Sequence, residues 1–455
     1  MKTIKQSMSS TISVPNNFQT NYKYWDKMDI NVKIHRTYEG LTPDSLFAMA
    51  LRINKKRQFL FVSKLIAKHL AVHPSLALGT GTLLASLLME SAGDSAHPQT
   101  KEIARMIESQ KPSSKLMRKA LEYRIALSEK TLFLGMAETA TGLGHAVFQH
   151  FKQADYIHTT REEIKGQTPS FVFQEEHSHA TDHKVYAPAG MLEKAETIVL
   201  VDDEISTGNT LINLIGALDD QYPGKEYKCL SILDWRNDSQ KKTMAQMAES
   251  RGIHVEVLAL MAGEFELIHS ESPEEESLDF LSGTSTVLLN RKAEGKALPY
   301  SSQTQQRYLT YTGRFGLDSS THAEIGSWAQ AAVKTVESGA KPLVIGIGEN
   351  MYLPLRFALE LDGAPLVQTA TRSPIYASDS EGYPIKEKAK FSLPDAEGID
   401  HFLYNVNRLD VDKIYLLAES VIDEKSWQPL LAYLEKKAPV EWISMTAAER
   451  SAQAE

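Results

Sequence analysis

The sequence predicts two α/β domains, each built on a mostly parallel sheet flanked by helices. Short apolar or β-branched segments recur between helix-compatible stretches, which is the pattern of parallel strands covered on both faces. A chain of 455 residues also exceeds what one hydrophobic core usually organises. The clearest strand segments are Thr131–Leu134, Tyr156–Thr159, Thr197–Val201, Leu230–Leu233 and His254–Leu258.

A change in composition marks the boundary between the domains. Residues 269–306 carry an acidic run followed by a polar stretch, which predicts a linker between a first domain at 36–268 and a second at 307–455. In the second domain, Lys341–Gly348 predicts a buried strand and Leu353–Leu361 a helix. Residues 1–35, which open on a Ser-, Asn- and Gln-containing stretch, are expected to be flexible.

Bulk composition excludes several classes of function. No apolar run approaches the roughly 20 residues that span a bilayer, so no membrane role is expected. A net charge of −9 argues against a nucleic-acid surface, which needs clustered cations. Cys229 is the only cysteine, and the start lacks the apolar core of a secretory signal. We therefore expect a protein of the reducing cytoplasm.

Residues 197–211, TIVLVDDEISTGNTL, predict an anion site at the carboxyl end of a strand. Backbone amides of the turn and of the following helix N-terminus would hold a sugar phosphate, with Gly208 allowing close approach and Thr207 and Thr210 adding hydroxyl donors. The carboxylates of Asp202 and Asp203 can accept hydrogen bonds from ribose hydroxyls. They can also offset positive charge at the anomeric carbon.

Three other interpretations of this segment remain open. Acid pairs also end strands in response-regulator receivers and in Walker B strands, although the chain lacks GxxxxGK[ST] and a receiver would begin near the chain start. The third alternative is a purely structural turn.

VLVDDEISTGNT is similar to the phosphoribosyl pyrophosphate (PRPP) loop of type I phosphoribosyltransferases, a fold with a mostly parallel sheet and a mobile hood. The resemblance implies that Glu204, Ser206, Thr207, Gly208, Asn209 and Thr210 bind PRPP. It also places a pyrophosphate loop at 132–144, LFLGMAETATGLG, with Ala137, Glu138, Thr139 and Ala140 at its tip.

Between the two loops, YIHTTREEIKGQ and EEHSHATDHKVY resemble the basic segment and hood of the orotate phosphoribosyltransferase branch. By position, Arg161 and Lys165 match its catalytic basic residues, although Glu162 departs from the usual Arg-Lys pair. The hood histidines His177, His179 and His183 suggest phosphate donors or surface polarity. A zinc site is the third alternative, but no fixed ligand geometry is implied.

Upstream, residues 52–74 concentrate basic side chains and favour an amphipathic helix with a basic outer face. The segment is also similar to one in phosphoribosyltransferases encoded with tellurium-resistance and stress-response genes. That resemblance implies that Arg57, Lys68 and His69 contribute to a base pocket or to dimer contacts.

The second domain, expected to be Rossmann-like, carries GIGENM without the third glycine of a dinucleotide-binding motif. The run Thr371-Arg372-Ser373-Pro374, with GRFGLD at 313–318 and FLYNV at 402–406, resembles the TRSP domain that accompanies the same subfamily. Arg372 between two hydroxyls suits an oxyanion clamp or a capped turn. For Arg372, Glu349 and Arg314, functional and structural roles stay open.

Together these resemblances imply a homodimeric enzyme that transfers ribose 5-phosphate from PRPP to a small base-like nitrogen acceptor and releases pyrophosphate. Mg²⁺ would assist, with Asp202 and Asp203 as its direct or indirect contacts. The product would be a nucleotide-like metabolite linked to tellurium resistance or stress. The alternatives are a non-catalytic PRPP-sensing regulator and a nucleotide phosphorolysis or hydrolysis enzyme. The sequence does not identify the acceptor.

Overall fold

The computed structural model describes residues 18–24, 27–53, 57–164, 166–173, 183–271, 278–290, 308–393, 399–421 and 423–446. Within these ranges the strands are, in chain order, β1 (Phe18–Tyr24), β2 (Met28–Thr37), β3 (Phe47–Leu51), β4 (Phe59–Ser63), β5 (Ile125–Ala126), β6 (Thr131–Gly135), β7 (Phe151–Lys152), β8 (Asp155–His158), β9 (Phe171–Phe173), β10 (His183–Val185), β11 (Thr197–Ile205), β12 (Glu226–Asp234), β13 (His254–Ser270), β14 (Leu289–Asn290), β15 (Leu317–Asp318), β16 (Pro342–Ile347), β17 (Leu366–Ala370), β18 (Lys388–Ser392), β19 (Asp400–Tyr404), β20 (Lys413–Ala418) and β21 (Val440–Ser444). The α-helices are α1 (Pro43–Leu46), α2 (Pro74–Ser91), α3 (Thr100–Glu108), α4 (Ser114–Ala120), α5 (Ala140–Phe148), α6 (Met191–Lys194), α7 (Asn209–Gln221), α8 (Asp238–Arg251), α9 (Ser319–Ala332), α10 (Tyr352–Glu360) and α11 (Gln428–Glu435).

The larger sheet has eight strands in the order β1-β2-β13-β12-β11-β6-β8-β15. Its central strands, from β13 to β8, pair in parallel, while the strands added at either edge run antiparallel. Residues 197–201 are fully buried at its centre, as expected for a β-branched apolar run covered by helices on both faces. The predicted mostly parallel α/β fold is confirmed.

The second sheet has the order β14-β21-β20-β16-β17, with every pair parallel. Helix α10 follows β16 and packs against α2 and α5 beneath the first sheet. There the ring of Tyr352 stacks on His145 with centroids 4.6 Å apart, and its hydroxyl donates to Gln149 at 2.8 Å. One continuous apolar core therefore includes residues from both sides of the expected domain boundary.

Three expectations from the sequence require correction. Residues 18–24 and 28–35 lie in the segment 1–35 that was expected to be flexible, but they form β1 and most of β2 at the sheet edge, where burying Met28, Ile30 and Val32 stabilises them. Residues 52–74 were expected to form a basic amphipathic helix. Residues 59–63 instead form β4, paired with β3, and the next helix begins only at Pro74.

The expected linker is the third correction. Its start continues β13 to Ser270, and Leu289–Asn290 forms β14 on the second sheet. Within the second expected domain, Leu317–Asp318 pairs with β8 of the first sheet. The boundaries at 268 and 307 therefore do not coincide with breaks in packing. Among the described residues, none of the helices is both long and apolar enough to cross a membrane.

Candidate active site

The turn between β11 and α7 presents free backbone amides. Gly208 has φ +85° and caps α7, whose first hydrogen bond runs from the amide of Ile212 to the carbonyl of Gly208. The amides of Thr207, Gly208, Thr210 and Leu211 donate to no residue that the structure describes, whereas Asn209 donates to the Thr207 hydroxyl at 3.3 Å. Free amides at a helix N-terminus form a ready site for a phosphate.

The acids that precede this turn point in different directions. Asp202 and Asp203 lie at the carboxyl edge of the sheet, where Asp202 accepts a hydrogen bond from the amide of Asp203 at 2.9 Å. Glu204 turns toward Arg57 and forms a short ion pair with it. Burial raises the pKa of Glu204, and the charge of Arg57 opposes that rise. Glu204 thus forms an ion pair with Arg57, which lies between β3 and β4. Ser206 lies in the turn that follows β11.

The predicted pyrophosphate loop lies at the end of the neighbouring strand. Strands β6 and β11 pair in parallel, so the loop after each strand emerges at the same sheet edge. Ala137, Glu138 and Thr139 link β6 to α5, which begins at Ala140, and the Ala137–Glu138 peptide is cis. The amides of Glu138 and Thr139 donate to no described residue. Two potential anion sites therefore lie side by side.

Basic side chains from distant parts of the chain approach these loops. Burial lowers the pKa of Arg52, and the charges of Arg57 and Arg161 lower it further. The charges of Arg57 and Arg161 thus both act on Arg52, and of these residues Arg57 pairs directly with Glu204. Lys68, which is only 6% exposed, donates to the Thr139 hydroxyl at 2.6 Å and pairs with Glu138 at 3.2 Å. Lys165 lies outside the described residues.

Two residues that sequence reasoning missed support the turn at Gly208. Arg236 and Asp234 form a buried pair with two hydrogen bonds of 2.8 Å. A Cβ at Gly208 would lie 2.9 Å from the Arg236 side chain, so the turn rests directly on this pair. Their position at the end of β12, beside β11, was the signal available in the sequence.

Of the three hood histidines, the structure describes only His183. His177 and His179 lie outside the described residues. His183 is buried, and its Nδ1 is 3.0 Å from the hydroxyl of Thr159, which accepts a hydrogen bond from the Ala137 amide at 2.8 Å. His183 therefore braces the pyrophosphate loop. The described residues contain no group of three or more histidine, cysteine or acidic side chains arranged to hold a metal ion.

A second set of charged residues lies where the two sheets meet. Arg314 donates four hydrogen bonds of 3.0–3.3 Å to the carboxylates of Glu349 and Glu419. These residues, with Glu162 and Arg372, line a small cleft of about 60 Å³. Burial raises the pKa of Glu162 to about 7; Arg314 opposes that rise, and the charges of Glu349 and Glu419 add to it. Glu162 is therefore partly protonated near neutral pH.

Glu162→Gln should stabilise the protein at about pH 8 and have little effect at about pH 5. In the folded state the pKa of Glu162 is about 7, above the value of about 4.3 for an unperturbed glutamate. The wild-type protein therefore loses stability as the pH rises from about 4.3 to about 7, and this loss is complete above pH 7. Thermal melts at both pH values test this. The exposed neighbour variant Glu163→Gln should show no such difference. Equal melting temperatures for Glu162→Gln and wild type at pH 8 would contradict the assignment.

Two protein-family models match parts of the chain. Residues 46–264 match the family model described as phosphoribosyl transferase, and residues 311–434 match the model described as the TRSP domain C-terminal to it. No sequence among curated proteins matches the chain.

Solved structures similar to this chain include the adenine phosphoribosyl transferases of Trypanosoma brucei and Leishmania donovani and the orotate phosphoribosyltransferase of Aeropyrum pernix. Their identities are 16%, 18% and 16%, and their TM-scores are 0.23, 0.24 and 0.17. The matches cover 34%, 34% and 30% of this chain and 65%, 67% and 60% of those chains. The chain thus spans just under two thirds of the trypanosomal enzyme, and TM-scores this low carry no structural argument.

Proposed function

Because this chain carries a phosphoribosyl transferase domain at residues 46–264 followed by a TRSP domain at 311–434, we propose that it transfers ribose 5-phosphate from PRPP to a nitrogen acceptor. The observation that carries the proposal is the pair of free-amide loops at the ends of β6 and β11. Two neighbouring anion sites suit a substrate with a phosphate at one end and a pyrophosphate at the other.

Each loop has a distinct role in this proposal. The turn Ser206–Thr210 holds the 5-phosphate through its amides, with the Thr207 and Thr210 side chains beside it. The amides of Glu138 and Thr139, between Ala137 and Ala140, hold the pyrophosphate. Asp202 and Asp203 accept hydrogen bonds from the ribose hydroxyls and stabilise the developing positive charge on the sugar.

The donor set is compatible with Mg²⁺. Asp202 and Asp203 provide the oxygen ligands that this ion prefers. When bound, Mg²⁺ would supply further neutralisation of the pyrophosphate charge.

The transfer itself exchanges one bond for another. The bond from the anomeric carbon to the pyrophosphate oxygen breaks, and its electron pair leaves with pyrophosphate. The nitrogen lone pair of the acceptor forms the new bond, and a proton on that nitrogen passes to solvent. Arg161, and Lys165 by its position in the sequence, would neutralise the departing charge. Catalysis then rests on positioning and charge stabilisation.

The proposal predicts Mg²⁺-dependent consumption of PRPP. The protein is incubated with Mg²⁺, PRPP, a panel of bases and cell extract, and PRPP and products are followed by mass spectrometry. We expect PRPP to disappear together with one acceptor, and pyrophosphate to appear. Tight PRPP binding without consumption by any acceptor would instead indicate a sensor. Formation of PRPP from nucleotide only when pyrophosphate is supplied would indicate that the reaction runs in reverse.

A further inference from the structure

The predicted pyrophosphate loop is covered by the second domain. The Thr141 hydroxyl donates to the carbonyl of Glu349 at 3.0 Å, and a Cβ at Gly142 would lie 2.8 Å from Met351. On the other side of the loop, the Thr371 hydroxyl lies 3.4 Å from a carboxylate oxygen of Glu138. The start of α5 therefore fits against the segments that follow β16 and β17.

The loop has no cation of its own. Residues 135–144, GMAETATGLG, contain neither lysine nor arginine. The positive charge comes from Lys68 on one side and from Arg372 of the second domain on the other, both directed at Glu138. Burial would raise the pKa of Glu138, but these two cations outweigh it and hold that pKa below its usual value. Lys68 and Arg372 thus place positive charge on both sides of the loop, beside the ionised Glu138.

Arg372 differs from its neighbour Arg314 in how it is held. Arg314 is 2% exposed and saturated by two carboxylates, which is the environment of a structural arginine. Arg372 lies 3.8 Å from Glu138 and 3.8 Å from Glu162, beyond hydrogen-bond distance. Its guanidinium donates no hydrogen bond to any residue that the structure describes, and its Nε is buried.

Unsatisfied donors of this kind favour a ligand. A buried guanidinium N–H without an acceptor is costly, and the Nε of Arg372 is buried in this way. Arg372 lines the small cleft where the two sheets meet, and its side chain is 19% exposed, so its guanidinium is accessible from that side. The planar guanidinium fork matches the paired oxygens of a phosphate group, which a lysine at the same place would bind only as a point charge.

We propose that Arg372 of the second domain binds the pyrophosphate group of PRPP, so that the transferase site is built from both domains. This inference rests on the proposed function. Pyrophosphate oxygens would accept hydrogen bonds from Arg372 and from the amides of Glu138 and Thr139. Lys68 would add charge from the opposite side.

The test compares full-length Arg372→Ala with wild type in calorimetric titrations of Mg²⁺-pyrophosphate, PRPP and ribose 5-phosphate. We expect Arg372→Ala to weaken binding of pyrophosphate and PRPP by about ten- to hundredfold, the effect of removing a charge-assisted hydrogen-bond donor. Ribose 5-phosphate, which lacks the pyrophosphate, should bind as before. The matched control is Arg408→Ala, an exposed arginine of the same domain paired with Asp379. It should change none of the three affinities.

The outcomes separate the two proposals. Wild-type protein that binds neither PRPP nor ribose 5-phosphate would refute the proposed function and this inference with it. Wild-type binding of both that persists unchanged in folded Arg372→Ala would refute only the role of Arg372. If Arg372→Ala does not fold, Arg372→Lys replaces it. A partial loss of pyrophosphate affinity with ribose 5-phosphate unaffected then supports the proposal, and full affinity overturns it.

Discussion

Asp203→Asn is expected to slow pyrophosphate release by a factor on the order of a hundred or more while the protein remains folded. The substitution keeps the size of the side chain and removes the negative charge that would stabilise the sugar in the transition state. Because the carboxylate lies at the partly exposed carboxyl edge of β11, its loss leaves the buried run 197–201 intact. The effect should therefore fall on turnover and spare the fold.

The measurement is the initial rate of pyrophosphate release with the acceptor that mass spectrometry identifies. Circular dichroism and the melting temperature report on folding. Asp238→Asn, an acid whose side chain is 98% exposed in the first turn of α8, is the control and should keep the wild-type rate. Wild-type turnover in Asp203→Asn would remove this acid from the catalytic assignment.

Arg314→Leu should destabilise the protein by roughly 3–5 kcal/mol. The substitution removes four hydrogen bonds and leaves the carboxylates of Glu349 and Glu419 without their cation in a largely buried place. Breaking one side of a buried ion pair costs far more than breaking an exposed pair, because the remaining charge is poorly solvated. Urea unfolding of the variant and the wild type measures the difference.

Arg251→Leu is the matched control for Arg314→Leu. Arg251 also pairs with two acids, Asp219 and Asp220, but it lies at the surface with its side chain 30% exposed. Solvent screens this pair, so we expect a much smaller loss of stability. Equal losses for the two variants would show that burial of the Arg314 network contributes nothing.

The cost of Arg314→Leu should also depend on pH. Burial would raise the pKa of Glu349, but Arg314 and neighbouring cations outweigh it and hold the pKa below its usual value. A lowered folded-state pKa contributes stability above the pKa of an ordinary glutamate, and this stability is lost as the pH falls through the folded value. The difference between wild type and variant should therefore be largest near neutral pH and shrink in acid.

Much of the fold and part of the candidate site could be predicted from local sequence. Each predicted strand in the first domain lies within or overlaps an observed strand. A short apolar, β-branched run between helical segments is typical of a buried strand. The segment 197–211 also forms the expected strand, turn at Gly208 and helix start, since these features are contiguous in the sequence. The catalytic roles of Asp202, Asp203 and Arg161 stay predictions.

The segment 52–74 shows where local pattern was insufficient. Its basic residues suit the outer face of a helix, yet Arg57 pairs with Glu204 and Lys68 with Glu138, acids far away in the chain. Nothing within the segment itself indicates these partners. The identity of an ion pair depends on which strand ends meet at a sheet edge, and that depends on the topology of the whole sheet.

The sequence by itself therefore determined the two α/β sheets and the turn at Gly208, because contiguous residues carry those patterns. Only the tertiary structure decided that Arg314 is saturated by two acids while Arg372, also beside two acids, has no hydrogen bond among the described residues. Neither arginine has a neighbouring glutamate in the sequence that would indicate its partners. Differences of less than an ångström in distance, set by packing of the second domain on the first, separate an arginine that donates to its acids from one that does not.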